Sequence, residues 1–168
     1  MIYLWLSLFA AGIVAADQLT KAAVVARFAP YVESWLTHTG AWSPVPSREW
    51  VPLLPGILHI TFQPNTGAAF SILAGSTVVF FVVTGLFLAL VAVALWKKWL
   101  KTPLELWSAA AICGGAVGNL IDRVAQGFVV DMLEVEFMRF AVFNVADCFI
   151  TVGAIGLVLG VLTEERKK

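Results

Sequence analysis

The chain has 168 residues with 11 acidic and 11 basic side chains, so its net charge is zero and no basic surplus exists to hold nucleic acid. Hydrophobic residues make up 60% of it and charged ones 13%, with a mean hydropathy of +0.89, which excludes an ordinary soluble domain and indicates a single membrane-embedded one. Both cysteines, Cys113 and Cys148, fall inside apolar runs, which excludes a disulfide framework, and the two histidines lack Cys/His spacing, so no metal or other cofactor is expected.

The first apolar run carries no charge from Ile2 to Ala16 and continues past Asp17 and Lys21, which predicts a transmembrane helix over about 2–24. A cleaved signal peptide is the rival reading, because Val14-Ala15-Ala16 resembles a cleavage site, but no basic stretch precedes the apolar run. Asp17 and Lys21 stand four apart with the acid first, the favourable order for an ion pair along one helix face. From about 27 to 75 the composition turns to Pro, Trp, Ser, Thr and Gly, and no span fits. Within this segment Gly56–Phe62 has the length and β-branched content of a strand, which predicts a small sheet on the membrane surface. Asn65-Thr66-Gly67 then forms a turn, leading into a short interfacial helix.

A second span is expected over about 76–96, a third over 104–121 and a fourth over 142–162. Lys97, Lys98 and Lys101 follow the second, and Arg166, Lys167 and Lys168 close the chain, so that junction and, with four spans, both termini should be cytoplasmic. Four spans then put Asp17, the Pro-rich segment, Asp122, Asp131 and Asp147 at the opposite, outer face. The fold class expected is an all-α membrane protein with four transmembrane helices and a small outer-face sheet.

Three of the four aspartates lie between Gly118 and Asp147. Asn119 precedes Asp122 by three residues, and Asn144 precedes Asp147 by three, so each pair shares a helix face. Asp131 sits between them in a short β-branched run. Two carboxyls brought together away from water tend to share one proton, the state from which an aspartic protease activates water. Taken singly, Asn144 and Asp147 also suit a helix cap, and Arg123 suits a helix C-terminus or a pairing with Asp122. Residue chemistry leaves open whether Asp122 or Asp131 partners Asp147, leaning to Asp131 because Asp122 has Arg123 beside it. Glu134 and Glu136 read as a solvated strand edge, and His38 and His59 as loop or sheet residues. Intramembrane carboxylates also mark ion paths, so a proton-coupled transporter is the alternative function, and a non-enzymatic anchoring protein a further one.

The blocks DQLTK at 17–21, NTGAAF at 65–70, GNLIDR at 118–123, VVD at 129–131 and FNVAD at 143–147 together resemble the bacterial lipoprotein signal peptidase family, also called signal peptidase II. That resemblance covers nearly the whole chain. It implies an aspartic endopeptidase of the bacterial inner membrane that cuts prolipoproteins before a diacylglyceryl-modified cysteine, with Asp131 and Asp147 as the catalytic dyad. It further implies that Asn65, Asn119, Arg123 and Asn144 contact substrate and that Asp17, Lys21, Gly67, Gly118 and Asp122 support the site. Membrane lipid and a monomeric state go with the same reading. Met132 departs from the family pattern, where an aromatic commonly follows VVD, and the segment from about 33 to 50 is longer than the pattern leads one to expect.

Overall fold

A computed structural model describes residues 1–37, 49–67 and 77–165. The expected interfacial helix after Asn65-Thr66-Gly67, most of the long 33–50 segment, His38 and the basic tail at 166–168 lie outside the described residues.

Four helices are long and apolar enough to cross a membrane: α1 (Ile2–Arg27), α3 (Thr77–Trp96), α4 (Pro103–Gln126) and α5 (Val145–Glu165). A short helix, α2 (Ala29–Thr37), follows α1 where only a Pro-rich surface segment was expected. Pro30 is compatible with it because an N-terminal proline forfeits only an amide that has no partner within the helix. Three antiparallel strands, β1 (Val51–Leu54), β2 (Leu58–Asn65) and β3 (Val129–Val135), form a sheet in that order.

Helix α4 is central, packing against α1, α3 and α5. Its start is set by a capping box, in which Thr102 Oγ1 accepts from the Glu105 amide at 3.2 Å and the Glu105 carboxylate accepts from the Thr102 amide at 2.9 Å. Small residues let the neighbouring helices approach closely; a Cβ added at Gly115 would lie 2.5 Å from the Ala146 carbonyl oxygen of α5. Helix α3 is apolar all round and largely exposed, the pattern of a lipid-facing helix, and it packs chiefly against α4.

The sheet is welded to the C-terminal end of α1. Val24 and Phe28 pack with Phe62, Phe128, Val130 and Met132 in one buried cluster. Because side chains alternate along a strand, placing Val130 and Met132 in this core turns Val129 and Asp131 to the other face. Met132, the departure from the family pattern, is part of that core and is 3% exposed.

Candidate active site

Four elements converge where α4 ends and α5 begins. Asn65 stands opposite Val129 in the β2–β3 ladder, so it shares a face with Asp131 on the diagonal, and its Nδ2 donates to Asp131 Oδ2 at 2.8 Å. Asn65 Oδ1 accepts from the Gly67 amide at 2.9 Å, an Asx turn that orients the donor.

Asn144 reaches Asp131 from the other side, donating from Nδ2 to Asp131 Oδ1 at 2.7 Å. The same Nδ2 donates to Asn119 Oδ1 at 3.0 Å, and Asn119 Nδ2 donates to Asp147 Oδ1 at 2.8 Å. Two amides thus run between the two carboxyls. Asn144 also caps α5: its Oδ1 accepts from the Asp147 amide at 3.0 Å, and Asp147 Oδ2 accepts from the Asn144 amide at 3.1 Å. The cap and the carboxyl site are therefore the same residues, and the two readings of Asn144 and Asp147 hold together.

Beneath this layer lies a buried ion cluster. Lys21 Nζ is 2.8 Å from Asp17 Oδ2 and 3.0 Å from Asp122 Oδ2, and it donates to Asn119 Oδ1 at 3.0 Å. Asp17 is fully buried and accepts from the Ala146 amide at 3.0 Å, tying α1 to the start of α5. Asp122 accepts from the Val130 amide at 3.0 Å, tying α4 to β3. A buried ammonium with two carboxylates and satisfied hydrogen bonds is the arrangement under which such charges are tolerated. Gly118 is required at this point, because a Cβ there would lie 2.6 Å from Asp17 Oδ2.

The expected neutralisation of Asp122 by Arg123 is not made. Successive helical residues point about 100° apart, so Asp122 turns to Lys21 while Arg123 turns to another face of α4. There Arg123 Nη1 donates to the Asn119 carbonyl at 3.2 Å and Nη2 to the Gly67 carbonyl at 3.0 Å. Its guanidinium carbon lies 4.3 Å from the Phe80 ring centroid on α3.

Every sequence-predicted site residue thus falls in one connected region. Asp131, Asp147, Asn65, Asn119, Arg123 and Gly67 line a cavity of about 590 Å³ that continues along α5 past Ile150 and Thr151. Asn144 is fully buried behind the two carboxyls, and Asp17, Lys21, Gly118 and Asp122 lie deeper. Burial pushes the Asp131 carboxyl up to about 7, and the Asp147 charge adds to the rise; the amides of Asn65 and Asn144 oppose it.

Sequence reasoning passed over Gln18, whose Nε2 contacts Asp17 Oδ2 at 3.2 Å, the Gly118 carbonyl at 3.2 Å and Asp122 Oδ1 at 2.9 Å. Its place inside the DQLTK block was the available signal. Phe80 was also passed over, and no local pattern marks it. Glu134 does lie on β3, an edge strand, but it is partly buried there and pairs with His59 at 3.0 Å, because the register sets the two residues opposite each other. Glu136 accepts from the Gly56 amide at 2.9 Å. Among the described residues no group of His, Cys, Asp and Glu is arranged to hold a metal ion.

A family model described as Signal peptidase (SPase) II matches residues 9–163. The lipoprotein signal peptidase of Trichormus variabilis is 40% identical over 165 residues, spanning 96% of this chain and 90% of its own length. That of Streptococcus pneumoniae is 42% identical over 121 residues, spanning 70% of this chain and 75% of its own. A bacterial membrane enzyme solved by the in meso method at 2.3 Å superposes with a TM-score of 0.76 at 28% identity, covering 96% of this chain and 89% of that one. A second such structure, at 1.9 Å, gives a TM-score of 0.71 at 29% identity, covering 92% and 90%.

Proposed function

Because the chain belongs to the signal peptidase II family, we propose that Asp131 and Asp147 are the dyad with which it cleaves its substrates. It is a multi-pass bacterial membrane endopeptidase of the aspartic type that removes signal peptides from lipoproteins. The observation that carries the dyad is the unbroken amide bridge from Asp131 through Asn144 and Asn119 to Asp147, at the wall of one cavity. The family is one of peptidases, which speaks against the transporter reading. So does the placement of Asp131 on a strand and of Asp147 in the first turn of a helix, since a proton path would need carboxyls along a span.

The signal peptide lies along the apolar part of the cavity beside α5, and its cleavage site meets the dyad where α4 ends. Asp147, in the first turn of α5 where the helix dipole favours a carboxylate, is the base, and Asp131, whose carboxyl burial pushes up, carries the shared proton at rest. Asp147 takes a proton from water as the oxygen adds to the scissile carbonyl carbon, and Asp131 gives its proton to the carbonyl oxygen. In the resulting gem-diol, Asp147 returns its proton to the peptide nitrogen, Asp131 recovers one from a hydroxyl, and the C–N bond breaks. Arg123 and Asn65 hold extended substrate backbone, whose polar groups have no water partner there.

The residue after the cut is a cysteine bearing diacylglycerol, its acyl chains in surrounding lipid, and the enzyme works as a monomer. Both termini face the cytoplasm and the sheet lies on the outer membrane surface, which the lysines at 97, 98 and 101 support. The test is to incubate purified protein with a diacylglyceryl-modified prolipoprotein and with its unmodified form. Cleavage before the lipidated cysteine alone is expected; equal cleavage of both forms would remove the lipid requirement, and cleavage of neither would remove the reading.

A further inference from the structure

Arg123 sits on the last turn of α4 beside a cavity bounded by apolar helices, where a charge is costly unless something compensates it. Two of its N–H groups are committed to the Asn119 and Gly67 carbonyls, which fixes the guanidinium in its own plane. Among the described residues its face is covered by Phe80, whose ring centroid lies 4.3 Å from the guanidinium carbon and which lines the same cavity from the first turn of α3.

An aromatic face attracts a cation through its quadrupole without using any of the cation's hydrogen-bond donors. Among the described residues no acceptor takes the remaining donors of Arg123, which the stacked ring leaves available to the cavity. Helix α3 packs chiefly on α4, and this contact is where that packing meets the carboxyl site.

We infer that Phe80 is a positioning residue for cleavage: its ring holds the Arg123 guanidinium flat against the cavity wall, with its free donors directed at the carbonyl groups of the bound peptide. The inference rests on the proposed contact between Arg123 and substrate.

The experiment measures kcat/KM of the full chain in detergent on a diacylglyceryl-modified prolipoprotein, with Phe80 replaced by Leu, by Tyr, and by a series of progressively fluorinated phenylalanines. Fluorination drains the ring quadrupole while nearly preserving its shape, so a packing role would not respond to it. Phe80→Leu should lose about twofold to thirtyfold, the range spanned by exposed to desolvated cation–π contacts. Phe80→Tyr should stay within about twofold of the parent, and kcat/KM should fall stepwise with each added fluorine. A flat fluorination series, or a Tyr variant as impaired as Leu, would overturn the inference even if Phe80→Leu were merely unstable. Should the unsubstituted chain cleave nothing, the wider reading of the site fails, and this inference with it.

Discussion

Lys21 Nζ donates to Asn119 Oδ1 at 3.0 Å, and with the Asn144 amide, which donates to the same oxygen at 3.0 Å, it decides which way the Asn119 amide faces. An ammonium can only donate, so the oxygen of Asn119 must turn to it and the NH₂ must turn to Asp147. The buried ion cluster therefore acts on the carboxyl site by orienting the bridge between its two members. Replacing Lys21 by Met should have two effects. Asp17 and Asp122 would be left buried without their cation, costing about 3–5 kcal/mol of stability. Cleavage should also fall in the fraction that remains folded, because Asn119 loses one of the two donors that hold its oxygen in place. Denaturation midpoints and specific activity at matched folded fraction would separate the two, and full activity per folded molecule would contradict the orienting role.

Asp131→Asn and Asp147→Asn should each abolish cleavage while the chain still folds, since the amide keeps the shape, gives up one accepted hydrogen bond and removes the proton chemistry. A loss of about a hundredfold to ten-thousandfold is expected from general acid–base assistance alone. The double variant should be little worse than either single one, because the proposed dyad acts as a unit.

Asp122→Asn should behave in the opposite way. Its carboxylate pairs with Lys21 and accepts the Val130 amide, so the change should lower the melting temperature more than the turnover of folded enzyme. A stable but inactive Asp122→Asn, together with an active Asp131→Asn, would move the dyad to Asp122 and Asp147.

The pH dependence follows from Asp131. Its carboxyl goes from an ordinary value of 3.8 to about 7 in the folded chain, so the folded state binds the extra proton between these values. Stability attributable to it is therefore complete below about pH 4 and is lost as pH rises through 7. Cleavage should decline above about pH 7, approaching tenfold per unit, as the dyad loses its one shared proton. Melting curves across this range should show a larger decline in stability for the parent than for Asp131→Asn; a rate that keeps rising past pH 8 would refute the shared proton.

Gly118→Ala tests the packing under the site. The new methyl would meet the Asp17 carboxylate at 2.6 Å and displace it from Lys21 and from the Ala146 amide. Overpacking of this kind costs about 1–3 kcal/mol. A melting temperature equal to the parent's would mean that α1 and α4 separate freely here.

Composition and local spacing by themselves determined the membrane class, the four apolar helices, the helical pairing of Asp17 with Lys21 and the two Asn–Asp pairs. These are short-range properties: hydropathy over about 20 residues marks a span, and residues three or four apart share a helix face wherever the helix goes. The sequence also carried the capping signal at Asn144 and Asp147, and the five blocks that resemble a known family. What it left open was which carboxyl faces Asp147, and there the reason is long-range. Asp122 turns to Lys21 only because α1 packs on α4, and Asp131 turns away from the core only because Val130 and Met132 are buried against Val24 and Phe28. The β3 strand joins β2 across more than sixty residues of chain, a pairing that brings Asn65 to Asp131 and His59 to Glu134 and that no local pattern announces. Phe80 meets Arg123 for the same kind of reason: an apolar residue in a lipid-facing helix looks like every other, until the helix beside it places a cation against its ring.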